Sequence, residues 1–106
     1  MISRDVLEPF DSHKMLQLAK KSLEVEAETI PALRDRLDDS FIRSLGLIGR
    51  SSGRVIVTGM GKSALIAKKI VATFNSTGTP SVFLHAGDAI HGDLGILQKG
   101  DVVICF

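Results

Sequence analysis

Residues 54–75, which read "RVIVTGMGKSALIAKKIVATFN", decide the fold. The opening "RVIVT" (54–58) is a short β-branched run that predicts a strand buried on both faces. From 62 to 75, apolar residues recur every three or four positions, which predicts an amphipathic helix. The glycine-rich corner "GMGKS" (59–63) joins the two. A strand that leads directly into a helix indicates the first part of a strand–helix–strand unit.

The segments that follow complete this unit. "STGTP" (76–80) predicts a turn and "SVFLH" (81–85) a second strand. Residues 86–100 are loop-like with one short helix, and "DVVICF" (101–106) predicts a third strand. Strands joined by such short crossovers predict a parallel, right-handed sheet with flanking helices. The predicted fold class is therefore α/β.

The first half of the chain has a helical period. It predicts two helices, over 12–37 and 40–50, that precede the sheet. Asp11 or Ser12 is expected to cap the first helix, and Pro31 is expected to kink it about one turn earlier. The apolar positions predict one buried stripe. They are Leu16, Ala19, Leu23, Ala27, Ile30, Leu33, Leu37, Phe41, Leu45 and Ile48.

Length and composition limit the classes of protein. The 106 residues suffice for one modest domain, in which we expect the helices of 1–52 to pack on the α/β part at 53–106. The 13 basic and 12 acidic residues give a net charge of +1, so neither a nucleic-acid partner nor an anionic membrane is predicted. The apolar ending "DVVICF" predicts that the chain is the front part of a longer protein.

Targeting signals are also not predicted. The segment "MISRDVLEPF" has no apolar core of a signal peptide, and no apolar run approaches the roughly 20 residues that span a bilayer. The single cysteine, Cys105, has no second cysteine for an internal disulfide. These features predict a cytoplasmic protein.

The glycine corner admits several interpretations, because a helix start with nearby glycines favours an anion. A nucleotide P-loop would need its first glycine at position 56, five residues before Gly61, but that residue is Ile56. A small phosphorylated ligand held by the helix start and Lys62 remains open. So does a strand-to-helix turn without any ligand.

A dinucleotide site would use the pattern G-x-G-x-x-G/A, which Gly59, Gly61 and Ala64 satisfy. Such a site also needs an acidic residue near the end of the second strand to bind the ribose. His85 stands there instead. The dinucleotide interpretation is therefore disfavoured.

The segment "HAGDAIHGDLG" (85–95) contains two histidines and two aspartates. His85 ends a strand, so we expect it near Lys62, and His91 follows in a glycine-flanked loop. Two histidines at a strand end favour a functional site, since imidazole serves as acid, base or metal ligand near neutral pH. The spacing, with Asp88 and Asp93, matches no established zinc pattern.

Taken together, residues 55–97 resemble a known family. "VIVTGMGKSALIAKKIVATFNSTGTPSVFLHAGDAIHGDLGIL" is similar to the sugar isomerase (SIS) domain of bacterial arabinose-5-phosphate isomerases. Four blocks carry the match: "GMGKS", "STGTPS", "H-x-G-[DE]-A-x-H" and "HGDLG". The match is strong from about Gly53 to Phe106. It implies a flavodoxin-like, nucleotide-binding-like parallel fold.

The resemblance also implies a function. Family members interconvert ribulose 5-phosphate and arabinose 5-phosphate through an enediol, for synthesis of the sugar acid Kdo of lipopolysaccharide or capsule. The implied partner is a small sugar phosphate, and the implied assembly is a homotetramer. No organic cofactor is implied, because the hydrogen moves as a proton, but a divalent metal such as zinc is an open expectation.

Residue roles follow from the matched blocks. The resemblance implies a catalytic role for Lys62 and an acid/base role for His91. His85 is implied as a neighbour of the substrate or of zinc. Substrate contacts are implied for Gly61, Ser63, Gly78, Thr79, His85 and His91.

Other family parts lie outside the printed sequence. The resemblance places the phosphate-binding loop and the catalytic glutamates after Phe106, so we expect the 106-residue piece alone to be inactive. A rival hypothesis is a phosphosugar-binding SIS module of a transcriptional regulator. The helices of the first half are short and balanced in charge, which disfavours DNA binding. Another sugar-phosphate isomerase or an aminosugar enzyme is disfavoured by "HGDLG".

Overall fold

The computed structural model describes residues 11–106. These fall in two compact units, one up to Asp38 and one from Asp39 to Phe106. The elements are α1 (Ser12–Arg34), α2 (Asp39–Gly49), β1 (Val55–Gly59), α3 (Lys62–Ser76), β2 (Ser81–His85), α4 (Ala86–Ile90), a 3₁₀ helix (Asp93–Ile96) and β3 (Val102–Cys105). The predicted α/β order is confirmed.

Helix α1 begins with the predicted cap. The Asp11 carboxylate accepts hydrogen bonds from the backbone N–H groups of His13 and Lys14, both at 3.0 Å, which satisfies two of the unpaired donors of the first turn. The helix includes Pro31 in its last turn and ends at Arg34, three residues earlier than predicted. Among residues 11–106, no helix has both the length and the apolar character needed to cross a bilayer.

The prediction of a buried stripe is wrong for α1. Leu16 is 56% exposed, Leu23 67% and Ile30 70%, and α1 has no buried residue. The period correctly indicates an apolar face that favours packing. It carries no information about which surface covers that face.

The sheet is parallel, with strand order β2-β1-β3. β1 is central: Val55 pairs with Ser81 on one side and with Val102 on the other. Val55, Ile56 and Val57 are 1% exposed or less, which confirms a strand buried on both faces. Full burial of such side chains stabilises the fold by roughly 1.5–3 kcal/mol each.

Helix α3 packs on this central strand through its small residues. Ala67 is fully buried and forms the core cluster with Val55 and Val57. Side chains from α2, β2 and β3 pack around that cluster, so the second unit has one core. They include Ile48, Phe83 and Ile104.

Hydrogen bonds lock the amino end of β2 to the end of α3. The Asn75 side chain accepts from the Ser81 N–H at 2.8 Å and donates to the Ser81 carbonyl at 3.0 Å. The buried Ser81 hydroxyl donates to the Val55 carbonyl at 2.7 Å, which joins β2 to β1. These contacts fix the register that positions the opposite, carboxyl edge of the sheet.

A buried ion pair joins the amino ends of β1 and β3. The Asp101 side chain, 3% exposed, accepts from the Arg54 guanidinium at 2.8 Å and from the Arg54 backbone N–H at 2.7 Å. It also accepts from the Gln98 N–H at 2.9 Å. The side-chain and backbone hydrogen bonds from Arg54 and the bond from Gln98 lower the pKa of Asp101 to about 2.

Candidate functional site at the carboxyl edge of the sheet

The carboxyl ends of parallel strands lie at one edge of their sheet, and ligands of such folds bind beyond that edge. Gly59 is the last residue of β1 and His85 the last of β2, and the register pairs them directly. Helix α3 starts three residues after Gly59, and α4 starts immediately after His85. The structure therefore brings the glycine corner and the first histidine together, as the sequence predicted.

Two glycines give the corner its shape. A Cβ on Gly59 would lie 3.1–3.2 Å from the backbone of Ser63 and Ala64, so a side chain here would push the helix start away from the strand end by a few tenths of an ångström. Gly61 has φ 59° and ψ −127°, a backbone conformation that residues with a side chain rarely adopt. Because Gly61 is the N-cap of α3, no side chain caps the first N–H groups of this helix.

Lys62 is the first residue of α3 and is exposed. Within the part of the chain that the structure describes, its ammonium group forms no salt bridge. An unpaired cation beside uncapped N–H groups attracts an anion or a developing oxyanion. The neighbouring Ser63, also predicted to contact substrate, is partly buried in the same turn.

His85 is partly buried and has a defined orientation. Its Nδ1 atom accepts a hydrogen bond from the Gly87 backbone N–H at 3.0 Å, so the ring caps the start of α4. The ring packs edge to face on Phe83, with 6.4 Å between centroids. On Phe83, the Lys68 ammonium lies 5.1 Å from the ring centroid. The imidazole is thus held by contacts on its own strand and helix.

His91 lies at the other end of α4. It caps this five-residue helix, and its backbone N–H donates to the Asp88 carbonyl at 3.0 Å. The side chain is exposed. Five residues of helix rise about 7.5 Å, so His91 lies about one and a half turns from the strand end that carries His85.

Gly78 and Thr79 lie elsewhere. They precede β2, in the turn where the Thr79 N–H donates to the Phe74 carbonyl at 2.9 Å. The amino ends of parallel strands form the edge opposite to the carboxyl ends. Within one chain the structure therefore does not bring these two residues together with Lys62 and His85, and their predicted substrate contact stays a prediction.

Thr58 is a polar residue of this edge that the sequence did not single out. Its hydroxyl oxygen is buried without a hydrogen-bond partner among residues 11–106, just before the glycine corner. Its carbonyl accepts from the Phe106 N–H at 3.0 Å. A hydroxyl at the end of an otherwise aliphatic strand is the only sequence signal that marked it.

The described residues do not form a metal site around His85. No three His, Cys, Asp or Glu side chains in residues 11–106 come together as ligands. A histidine that binds a metal normally donates its second ring N–H to an acceptor. In His85 the Nδ1 atom instead faces a donor, the Gly87 N–H.

A family model and the most similar curated proteins point to the same family. The family model described as "SIS domain" matches residues 50–106. The "Probable arabinose 5-phosphate isomerase" of Haemophilus influenzae is 51% identical over 89 residues, which are 84% of this chain and 26% of that protein. The arabinose 5-phosphate isomerase GutQ of Escherichia coli K12 is 42% identical over 88% of this chain and 29% of its own length.

A solved structure agrees with these relatives. The protein c3406 of Escherichia coli CFT073, in complex with arabinose 5-phosphate, superposes with a TM-score of 0.82 at 38% identity, over 91% of this chain and 51% of that one. The chain thus spans about a quarter of the length of the curated relatives and about half of the solved chain. With a matching family model over more than half of its residues and the same fold, the chain belongs to the SIS domain family.

Proposed function

We propose that this chain provides the lysine-bearing part of an aldose–ketose isomerase that interconverts ribulose 5-phosphate and arabinose 5-phosphate. The observation that carries the proposal is the carboxyl edge itself. There Lys62, without a salt bridge among the described residues, and the uncapped N–H groups of α3 lie beside His85. Relatives named as arabinose 5-phosphate isomerases and a neighbour in complex with arabinose 5-phosphate support it.

The chemistry suits these residue types. Isomerisation opens the sugar ring and moves a proton between C1 and C2 through an enediol, so charge develops on the carbonyl oxygen. Lys62 and the first N–H groups of α3 stabilise that oxygen, because preorganised donors act most strongly on developing charge. His91, on an exposed loop next to the edge, relays the proton of ring opening. Since hydrogen moves as a proton, the reaction needs no organic cofactor.

The proposal extends to assembly and location. A homotetramer in the cytoplasm, serving the synthesis of Kdo for lipopolysaccharide or capsule, accords with the resemblance to these isomerases. The open apolar face of α1 supports self-association. Leu16, Leu23 and Ile30 are each more than half exposed and recur every seven residues, a spacing typical of helix–helix packing.

The test is a kinetic comparison in the whole protein with ribulose 5-phosphate as substrate. Lys62→Ala is expected to lower kcat/KM by about 100- to 1000-fold, the usual effect of removing one oxyanion-stabilising donor. Lys69→Ala changes an exposed lysine of the same helix and is expected to leave the rate unchanged. His91→Ala is expected to lower kcat with an altered pH profile.

Three results would count against this proposal. Equal rates in wild type, Lys62→Ala and His91→Ala would refute the assignment of the site. Turnover of a different sugar phosphate would refute the substrate. Tight binding of arabinose 5-phosphate without any turnover would favour the non-catalytic phosphosugar-binding module.

A further inference from the structure

The crossover between β2 and β3, residues 86–101, is held mainly at its two ends. It leaves the carboxyl edge of the sheet directly after β2 and returns to the amino edge directly before β3. Residues 91–96 in its middle are all exposed, including Leu94 at 57% and Ile96 at 37%. Because no apolar side chain of this stretch is buried, packing alone does not fix the backbone that carries His91.

One hydrogen bond joins this stretch to the start of β1. A terminal guanidinium nitrogen of Arg54, Nη2, donates to the Ile96 carbonyl at 2.7 Å. Among residues 11–106, no other hydrogen bond connects 91–96 to a residue outside the crossover. The same nitrogen donates to the Asp101 carboxylate at 2.8 Å. The ion pair therefore fixes the direction in which the guanidinium meets the crossover.

The short helices of the crossover carry this contact on to His91. The 3₁₀ helix that ends at Ile96 is closed by a bond from the Leu97 N–H to the Leu94 carbonyl at 3.1 Å. Between that helix and His91 lies one residue, Gly92, whose φ of 131° is a conformation that residues with a side chain rarely adopt. A shift of the Ile96 carbonyl thus moves the 3₁₀ helix and, through Gly92, the histidine.

We propose that Arg54 is a positioning residue for His91. From the amino edge of the sheet, it sets the place of the exposed turn at the opposite end of the crossover through its bond to the Ile96 carbonyl. Arg54 itself contacts no substrate, so its effect on the rate acts through His91. A misplacement of roughly 1 Å in a reacting group lowers a rate by as much as about 100-fold. The kinetic half of this proposal rests on the proposed function above.

The anchoring of the crossover is tested first, because it does not depend on the substrate. Arg54→Lys keeps the positive charge beside Asp101, but the shorter side chain has no planar fork to serve both acceptors. Hydrogen–deuterium exchange of the whole protein, read by mass spectrometry, is expected to be about fivefold or more faster in peptides over 88–97 and unchanged in β1 and α3. Unchanged exchange over 88–97 would overturn the proposal. Arg50→Lys, the same change at an exposed arginine, is the control.

A second variant and a structural control accompany this measurement. Arg54→Gln, which keeps an amide donor without the charge, is expected to give the same faster exchange over 88–97. Ser81→Ala removes the buried hydrogen bond from the Ser81 hydroxyl to the Val55 carbonyl and weakens the sheet away from the crossover. It is expected to leave the exchange over 88–97 unchanged. Equally faster exchange there in Ser81→Ala would show that general loss of stability, and not Arg54, governs the crossover.

A double-mutant cycle then tests the path to His91. In the whole protein with ribulose 5-phosphate, Arg54→Lys is expected to lower kcat by about 10- to 100-fold with little change in KM. In the His91→Ala background, the same change is expected to alter kcat by less than about twofold, because its effect acts through the missing imidazole. Ser81→Ala, which leaves the crossover in place, is expected to keep the wild-type kcat.

Equal losses of kcat from Arg54→Lys in the two backgrounds would refute the positioning role, since a merely structural residue acts independently of His91. Wild-type kcat in Arg54→Lys would refute it as well. If the whole protein converts no ribulose 5-phosphate, the kinetic half falls together with the proposed function, and the exchange measurement still decides whether Arg54 anchors the crossover.

Discussion

Gly53 shows how one missing side chain sets the spacing of two segments. A Cβ at this position would lie 2.6 Å from the backbone nitrogen and a carboxylate oxygen of Asp101, and 2.6 Å from the Gly100 carbonyl carbon. The Gly53 N–H also donates to the Gly100 carbonyl at 3.2 Å. The loop before β1 therefore contacts the loop before β3 directly through backbone atoms, because Gly53 has no side chain between them.

Replacement of Gly53 by alanine is expected to destabilise the fold by about 1–3 kcal/mol, as overpacking of a close contact does. The added methyl group must displace backbone atoms, because two of its three nearest neighbours are backbone atoms and the third belongs to the hydrogen-bonded Asp101 carboxylate. Urea unfolding measures the loss. Gly49→Ala is the matched control, since Gly49 ends α2 with open space around it. A helical glycine-to-alanine change is neutral or stabilising by up to about 1 kcal/mol. Equal stability of the two variants would contradict this account.

The sequence indicated some of these residues and not others. The pattern "GMGKS" alone indicated Gly59 and Gly61 as backbone positions, and the structure confirms a close approach at the first and a positive φ at the second. The hydrogen bond that orients the His85 ring could not be predicted. It depends on where the Gly87 N–H lies in space, and a sequence pattern does not specify a hydrogen-bond direction.

At the scale of elements, β1 and β3 are joined by a polar contact as well as by their ladder. Arg54, just before β1, and Asp101, just before β3, form a salt bridge in which two guanidinium nitrogens contact an almost fully buried carboxylate. Its oxygens have hydrogen bonds from side chain and backbone, so the buried charge is compensated. This contact aligns the two strand starts and thereby their carboxyl ends.

The salt bridge between Arg54 and Asp101 predicts a contribution to stability that is lost in acid. The folded-state pKa of Asp101, about 2, lies below the ordinary value of 3.8, so ionised Asp101 stabilises the fold fully above about pH 4. That contribution is lost as the pH falls from about 4 to about 2. Asp101→Asn is expected to be less stable than wild type at neutral pH, with a difference in unfolding free energy that shrinks across this window.

Chemical unfolding at a series of pH values measures that difference. Asp93→Asn, which removes an exposed carboxyl of the 3₁₀ helix, is the control and is expected to cost little at neutral pH. A difference between wild type and Asp101→Asn that stays constant from neutral pH down to about pH 2 would contradict a role for the ionised carboxylate.

At the scale of the whole molecule, α1 presents a face of exposed apolar side chains. Its leucines and its isoleucine, among them Leu16, Leu23 and Ile30, are each more than half exposed. The proposed homo-oligomer gives this face a partner, namely the same face of a second copy. Burial of one leucine across such an interface contributes roughly 1.5–3 kcal/mol.

Leu23→Lys places a charge at the centre of that face. The whole protein is expected to shift toward smaller species, which light scattering coupled to size exclusion measures. Glu28→Lys introduces the same residue on the far side of the helix and serves as the control. Identical masses for both variants and wild type would show that self-association does not use this face.

The sequence by itself determined the order of helices and strands, the burial of β1 and the glycine corner, because these depend on local period and on residue type. Only the tertiary structure decided the strand order β2-β1-β3, the pairing of Gly59 with His85 and the position of Gly78 and Thr79 at the opposite edge. It also decided that Nδ1 of His85 accepts from the Gly87 backbone. These features depend on hydrogen bonds and register between segments brought together by folding, whose relative placement no local pattern specifies.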